Sequence, residues 1–173
     1  MKTLALIIAV SFFATPALAQ GLGERTGANA LIGKAPATSD FVKIAAISNM
    51  FELESSKLAQ QKADESSKKF ALQMIADHTE TSEELKALAP EAGVELPTKM
   101  DGSHQAKLDK LKGLQGMDFD KEYDSMQVSV HEDAVSLFQR YADGGDNPVL
   151  KEWAAKTLPQ LKHHLDMAKA LRD

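Results

Sequence analysis

The sequence predicts an all-α protein, a four-helix bundle with a long crossover between its second and third helices. Apolar residues recur at spacings of three and four over four long segments, which is the pattern of amphipathic helices. No segment alternates with period two over a useful length. Between the second and third helical segments, a stretch rich in Gly and Pro covers residues 90–117. It is long enough to run back along a helix of ~36 Å, which indicates a crossover.

The first nineteen residues predict a secretory signal peptide. Lys2 forms a short basic region, Leu4–Phe13 an apolar region, and Ala17-Leu18-Ala19 a cleavage signal before Gln20. The apolar region is shorter than the ~20 residues that a spanning helix needs. We therefore expect cleavage near Ala19-Gln20 and a soluble periplasmic or secreted product without a stable membrane anchor. An uncleaved anchor is the alternative.

Composition excludes several classes of function. The chain has 173 residues and no cysteine, so a single domain is expected, without disulfides, iron–sulfur clusters or thiol nucleophiles. The formal net charge is −5, and no basic run is present, so nucleic acid is not expected as a partner. His and carboxylate side chains remain as the plausible metal ligands.

The first two helices are predicted to form a hairpin. Residues 20–39 lack periodicity and are interpreted as a flexible leader, and the bundle domain is expected to cover residues 40–173. Asp40 is expected to cap a first helix over Phe41–Ala63, and Asp64 a second helix over Glu65–Ala89. The short break between them makes the two helices antiparallel neighbours.

The second half of the chain predicts one short and two long helices. Ser103–Leu111 is the short helical stretch of the crossover, and Asp118–Ala142 is the third long helix, which ends at Gly144-Gly145. Asn147 is expected to cap the fourth, with Pro148 in its first position. A kink is expected where Pro159 interrupts this last helix.

Polar side chains at or near the predicted core faces, with His131 between the apolar stripe and the flank of its helix, are candidates for a metal site. These residues are Glu52, His78, His131 and His164. Counted from the first hairpin turn, Glu52 and His78 differ in height by only ~3 Å, so they can share one ion. The same count from Gly145 gives His131 and His164 a mismatch of ~7–8 Å.

Each candidate ligand also has a purely structural interpretation. Glu52 can hydrogen bond a neighbouring helix, and the three core histidines can be satisfied core residues. Asp77 borders the core stripe, either as a neighbour of a His78 ligand or pointing outward. His163 is expected on the exposed flank of its helix, and His104 as a cap or surface residue.

No motif predicts catalysis, and no residue is assigned as catalytic. His131-Glu132 lacks the second histidine of H-E-x-x-H, because Val135 stands there. Nucleophile-elbow and phosphate-loop motifs are absent, and Glu83-Glu84 is interpreted as a solvated face. The glycines at 21, 23 and 27 miss the dinucleotide spacing and follow no strand.

Five ordered segments resemble the bacterial, mostly secreted family grouped as domain of unknown function 4142. They are FELESSKLAQQKA, FALQMIADHTETSEELKALA, GVELP, FDKEYDSMQVSVHEDAVSLF and WAAKTLPQLKHHLDMAKAL, within Asp40–Leu171. The resemblance implies a ferritin-like fold and little about activity. Ferritin-like di-iron proteins use Glu-x-x-His, but Ile75 and Leu161 stand three residues before His78 and His164. A di-iron oxidase is therefore disfavoured.

Two functions remain open. The first is a periplasmic metal-binding protein for storage, buffering or stress protection, holding a single zinc, copper or iron ion. The second is a non-catalytic structural or interaction module whose partner is another protein of the cell envelope. Metal binding is favoured slightly, because polar groups on core faces are costly to bury without partners.

Overall fold

The computed structural model describes residues 33–172, and these residues form five α-helices and no strand. Four helices are long and one is short. They are α1 (Thr38–Lys62), α2 (Glu65–Glu91), α3 (Gly102–Gly113), α4 (Gly116–Gly144) and α5 (Pro148–Ala170). The predicted all-α class and the five predicted helical segments are confirmed. The predicted signal peptide and residues 20–32 of the predicted leader lie outside the described residues.

Two of the three predicted caps are confirmed. The Asp64 side chain accepts a hydrogen bond from the backbone N–H of Ser67, and Asn147 accepts one from Leu150. The prediction for Asp40 was wrong, because α1 begins at Thr38, three residues before the predicted Phe41. Asp40 lies in the first turn, and Ala37 occupies the cap position without a side-chain hydrogen bond. An acidic residue is favourable both at the N-cap and in the first turn of a helix, so the residue type of Asp40 did not show which of the two positions it occupies.

The four long helices surround one interior. α1 packs along α2 and α4 along α5, while contacts of α1 with α4 and of α2 with α5 close the ring. The short α3, in the connection between α2 and α4, packs against α1 and α4. Pro159 lies inside α5, and the helix continues through it to Ala170.

The buried apolar side chains form two clusters. The first apolar cluster includes Phe41, Phe138, Trp153 and Leu161, and the second includes Phe51, Phe70, Phe119 and Tyr123. Each of the four long helices contributes to both clusters.

Between these clusters lies a layer of four buried polar residues, one from each long helix. This polar layer consists of Asn49, His78, His131 and His164. On α5, for example, His164 lies between Leu161 of the first cluster and Ala168 of the second. The polar layer therefore interrupts the apolar core at the level of the three histidines.

No helix in residues 33–172 is long and apolar enough to cross a membrane.

Candidate metal centre

Three histidines from three helices meet in the polar layer. His78 comes from α2, His131 from α4 and His164 from α5, and all three side chains are buried. Their ring centroids are 5.5–5.8 Å apart. One ring nitrogen from each lies within 4.8 Å of the other two. We call this group the histidine trio.

In each ring, one nitrogen donates a hydrogen bond to an oxygen atom that carries no hydrogen and so can only accept. His78 Nδ1 lies 2.9 Å from Asn49 Oδ1, and His131 Nδ1 lies 2.8 Å from the backbone oxygen of Gln127. His164 Nε2 lies 2.8 Å from a carboxylate oxygen of Asp77. These contacts place the ring proton on Nδ1 in His78 and His131 and on Nε2 in His164.

The opposite nitrogen of each ring is left with a free lone pair. His78 Nε2, His131 Nε2 and His164 Nδ1 are buried and have no hydrogen-bond partner among residues 33–172. A buried polar atom without a partner costs about 1–3 kcal/mol. Three such atoms in one place are an expensive arrangement for a protein core, and an ion bound by all three would satisfy them.

Burial keeps the three rings neutral. It lowers the pKa of His78 well below its ordinary value, and the neighbouring His131 and His164 lower it further. Burial likewise lowers the pKa of His131 to about 4. The pKa of His164 is also lowered by burial, although its contact with Asp77 opposes the shift. Neutral imidazole is the form that binds a metal ion.

Asp77 supplies the negative charge nearest to the trio. Partial burial works against ionisation, yet hydrogen bonds from Gln73 and His164 leave its pKa below the ordinary value. The carboxylate is therefore ionised at neutral pH. A carboxylate that accepts the proton-bearing nitrogen of a histidine is a recurrent partner of histidine metal ligands, where it orients the ring and raises its basicity.

Glu52 does not join the trio. It is fully buried on α1, but its carboxylate is not among the groups that converge with the three ring nitrogens. Both oxygens of its carboxylate are buried without a hydrogen-bond partner among residues 33–172, while its backbone oxygen accepts a hydrogen bond from Ser55 Oγ. Burial raises the pKa of Glu52 to about 8, and the Gln127 side chain and the Lys107 charge offset this only in part.

Asn49 occupies the place on α1 that was predicted for Glu52. It precedes Glu52 by three residues, or ~4.5 Å along a helix, and contacts His78 directly. Sequence reasoning missed it, although an amide in register with Ala45 and Glu52 on a core stripe was a detectable signal. It also missed Gln127, whose backbone oxygen accepts the hydrogen bond from His131. Because every residue has a backbone oxygen, the residue type at position 127 gives no indication of this contact.

Despite the height mismatch of ~7–8 Å counted along the helices, the rings of His131 and His164 are 5.5 Å apart. Side chains on a helix tilt toward its N-terminus. If α4 and α5 run in opposite directions, this tilt carries His131 away from the intervening turn and His164 toward it. Counting Cα positions alone therefore overestimated their separation.

The two remaining histidines are not part of the trio. His163 is exposed, as expected. His104 lies near the start of α3, where its ring contacts Asp101, the N-cap residue of that helix, at 2.8 Å.

A cavity of about 530 Å³ adjoins the trio on one side. His78 and Asn49 form part of its wall, together with apolar side chains of α1, α4 and α5. Charged residues, among them Asp133 and Arg140, line it elsewhere.

Comparison with known proteins identifies a family but no characterised relative. No curated protein and no solved structure matches the chain. The profile of the family described as Domain of unknown function (DUF4142) matches residues 24–171, which includes every residue of the polar layer. The resemblance noted from the five sequence segments is thereby confirmed, and the chain belongs to the DUF4142 family.

Proposed function

We propose that this protein binds a single transition-metal ion through His78, His131 and His164, and that it stores or buffers this ion in the bacterial periplasm. Two observations carry the proposal: three buried histidines bring one ring nitrogen each within 4.8 Å of the other two, and one nitrogen of each ring has no hydrogen-bond partner among the described residues. Glu52, predicted as a fourth ligand, is not included.

The spacing of the trio suits such an ion after a small adjustment. Zinc binds histidine nitrogens at about 2.0–2.1 Å, which places the nitrogens of a tetrahedral site about 3.3 Å apart. Nitrogens that lie within 4.8 Å of one another need to approach by at most about 1.5 Å to reach this spacing. Imidazole ligands suit zinc, copper and iron, so the donor set favours these three ions over magnesium or calcium.

The residues that contact the histidine trio suit the binding of an ion by three neutral imidazoles. Each ring is held by an acceptor on its far nitrogen, so the trio is oriented before an ion arrives. Three neutral ligands leave the positive charge of the ion uncompensated, and the ionised Asp77 beside His164 offsets part of it.

The sequence supports the proposed location of the protein, and the contacts between its helices support the proposed fold. The signal-peptide pattern of residues 1–19 supports export to the periplasm. The ring of four long helices, with α3 in the connection from α2 to α4, supports a ferritin-like bundle with a crossover.

The test is thermal unfolding of the chelator-treated protein with zinc, copper or ferrous iron added singly. An ion that binds only the folded state adds ~2.7 kcal/mol at a hundred times its dissociation constant. We expect one ion to raise the melting temperature of the parent and to have no effect on a His78→Ala/His164→Ala variant.

The matched control removes the two histidines outside the trio. A His104→Ala/His163→Ala variant loses the same number of imidazoles and should respond to the ion like the parent. If no ion stabilises the parent, or if the control loses the response as well, the trio is not the binding site. The alternative function as an interaction module would then be favoured.

A further inference from the structure

The cavity beside the histidine trio follows the contact between α1 and α4. Two pairs of side-chain hydroxyl groups fix the register of these helices. The pairs are Thr38 with Tyr141 and Ser56 with Tyr123. Equal numbers of residues separate the two contacts on each helix, so the helices run antiparallel. The same register places Asn49 opposite Val130, and both residues line the cavity.

The cavity is long and mainly apolar. On α4 its wall extends from Val130 to Arg140, which corresponds to ~15 Å along the helix axis. Small and apolar residues line it between these ends, namely Ile44, Ala45, Ala134, Leu137 and Leu161. Its volume of about 530 Å³ is large enough for several side chains. Such a surface favours hydrocarbon groups.

The described part of the chain begins at one end of this cavity. Ala35 lies against Gly144, and the backbone oxygen of Lys34 accepts a hydrogen bond of 2.7 Å from Arg140 Nη1. The step from Gly144 to Arg140 is about one turn toward the start of α4, which is the direction in which the cavity extends. The chain that precedes Gly33 therefore starts at the Arg140 end of the cavity.

A buried donor lies toward the other end. Asn49 is 6% exposed, and its Oδ1 accepts the hydrogen bond from His78. Its Nδ2 has no hydrogen-bond partner among residues 33–172. A buried donor of this kind is costly unless an acceptor reaches it, and the backbone oxygen of an extended chain is such an acceptor.

The segment directly before Gly33 has the length and the composition that this cavity needs. Residues 28–32 read Ala-Asn-Ala-Leu-Ile. Five extended residues span ~17 Å, close to the length of the cavity wall on α4. The family profile matches from residue 24, so it includes this segment.

Charge is also favourable. Residues 26–32 have no charged side chain, so none has to enter the apolar part of the cavity. The first charge before them is Arg25, whose sign is opposite to that of Asp101 and Asp133 on the cavity wall.

We propose that residues 28–32 of this chain bind in the cavity between α1 and α4 as an extended segment. Leu31 and Ile32, nearest to Arg140, supply the apolar side chains, and a backbone oxygen near the start of the segment accepts a hydrogen bond from Asn49 Nδ2. The segment then covers the side of Asn49 that lines the cavity. This inference goes beyond metal binding and does not depend on it.

Methyl NMR spectroscopy of the protein tests the contact directly. Nuclear Overhauser cross-peaks should connect the methyl groups of Leu31 and Ile32 with those of Ile44 and Leu137. The exposed Val149 on α5 should show no cross-peak to either residue of the segment.

Two substitutions in the segment provide the first check. Leu31→Asp/Ile32→Asp places charge where the cavity is apolar, so it should abolish these cross-peaks. It should also shift the side-chain amide signals of Asn49, because the donor loses its acceptor. Leu22→Asp, which lies before the segment, should leave both observations as in the parent.

A substitution in the cavity provides the second check without altering the segment. Ala134→Phe fills the cavity and should speed cleavage by elastase after Ala28 and Ala30 at least tenfold, since burial of one large aliphatic side chain favours docking by about that factor. Ala155→Phe, at an exposed site on α5, should be cleaved at the parent rate.

Three results would overturn the proposal. The first is the absence of cross-peaks from Leu31 and Ile32 to the cavity, and the second is an unchanged cleavage rate in Ala134→Phe. The third is the appearance of the cross-peaks only between labelled and unlabelled chains in a mixed sample, because the segment would then occupy the cavity of a second copy.

Discussion

Each histidine of the trio is fixed by a different kind of acceptor: an amide oxygen, a backbone carbonyl and a carboxylate. Only the carboxylate carries a charge, so the three rings are not equivalent as ligands. His164 should be the most basic donor of the set, because Asp77 stabilises positive charge on its ring.

Replacement of Asp77 should therefore weaken the metal site without unfolding the protein. In Asp77→Asn an amide oxygen can still accept from His164, so the ring stays oriented while the negative charge is lost. We expect the affinity for the ion to fall about 10- to 100-fold. Isothermal titration with zinc measures the change.

The control for this substitution is Glu83→Gln, which removes a carboxylate from an exposed position on the same helix. Its affinity should match that of the parent. An equal loss in both variants would mean that general surface charge, and not the contact with His164, supports binding.

Glu52 should make the protein less stable as pH rises. Its pKa is about 8 in the folded state, above the ordinary 4.5, so the folded state binds this proton more tightly than the unfolded state. Its contribution to stability is full below pH 4.5 and is lost as pH rises to 8. Relative to the parent, Glu52→Gln should therefore gain on the order of 3–5 kcal/mol between pH 4 and pH 9.

Urea unfolding of parent and variant across this range measures the difference. Glu54→Gln, an exposed position on the same helix, should show no such trend. A Glu52→Gln variant whose relative stability is the same at pH 4 and pH 9 would show that Glu52 is not held protonated.

At the scale of the helices, periodicity was sufficient to predict the type and order of all five elements. Long stripes of apolar residues determine which face of each helix is buried, and this placed His78 and His164 inside correctly, whereas His131 was predicted at the border of its stripe and is in fact buried. The contacts between helices were not predictable in the same way. They depend on side-chain tilt and on the rotation of each helix, so Asn49 could not be distinguished from Glu52 as the neighbour of His78.

Two substitutions at helix N-caps should change the free energy of unfolding in opposite directions. Asp64 accepts a hydrogen bond from Ser67 at the start of α2, so Asp64→Ala should cost about 1 kcal/mol. Ala37 makes no such bond at the start of α1, so Ala37→Asp should stabilise by about 0.5–1 kcal/mol. Chemical denaturation of both variants measures these changes. Stabilisation by Asp64→Ala would contradict the assigned cap.

At the scale of the whole molecule, retention of the ion should depend on pH in a predictable way. The pKa of each ring is lowered, to about 4 for His131 and well below 6.5 for His78, so these two rings remain neutral well below the ordinary pKa of 6.5. Their contribution to the stability of the metal-free protein is full above pH 6.5 and is lost as pH falls through the lowered values.

We therefore expect the ion to remain bound during dialysis at pH 6 and to be released by pH 4, where protons compete for the ring nitrogens. Metal content after dialysis, measured by atomic emission, gives the release curve. Half-release at pH 6.5 or above would indicate exposed histidines with ordinary pKa values. The His104→Ala/His163→Ala variant should give the same curve as the parent.

The polar layer also bears on how the chain finds its alignment during folding. In a bundle with a uniform apolar core, one helix can slide by a turn of about 5.4 Å and still bury leucine against leucine. Here such a slide of α1, α2 or α5 would move Asn49, His78 or His164 among the side chains of either cluster and would separate the pair Asn49–His78 or Asp77–His164. Misaligned packings therefore lose hydrogen bonds that the native packing keeps, so the layer specifies the relative heights of α1, α2 and α5 before any ion binds.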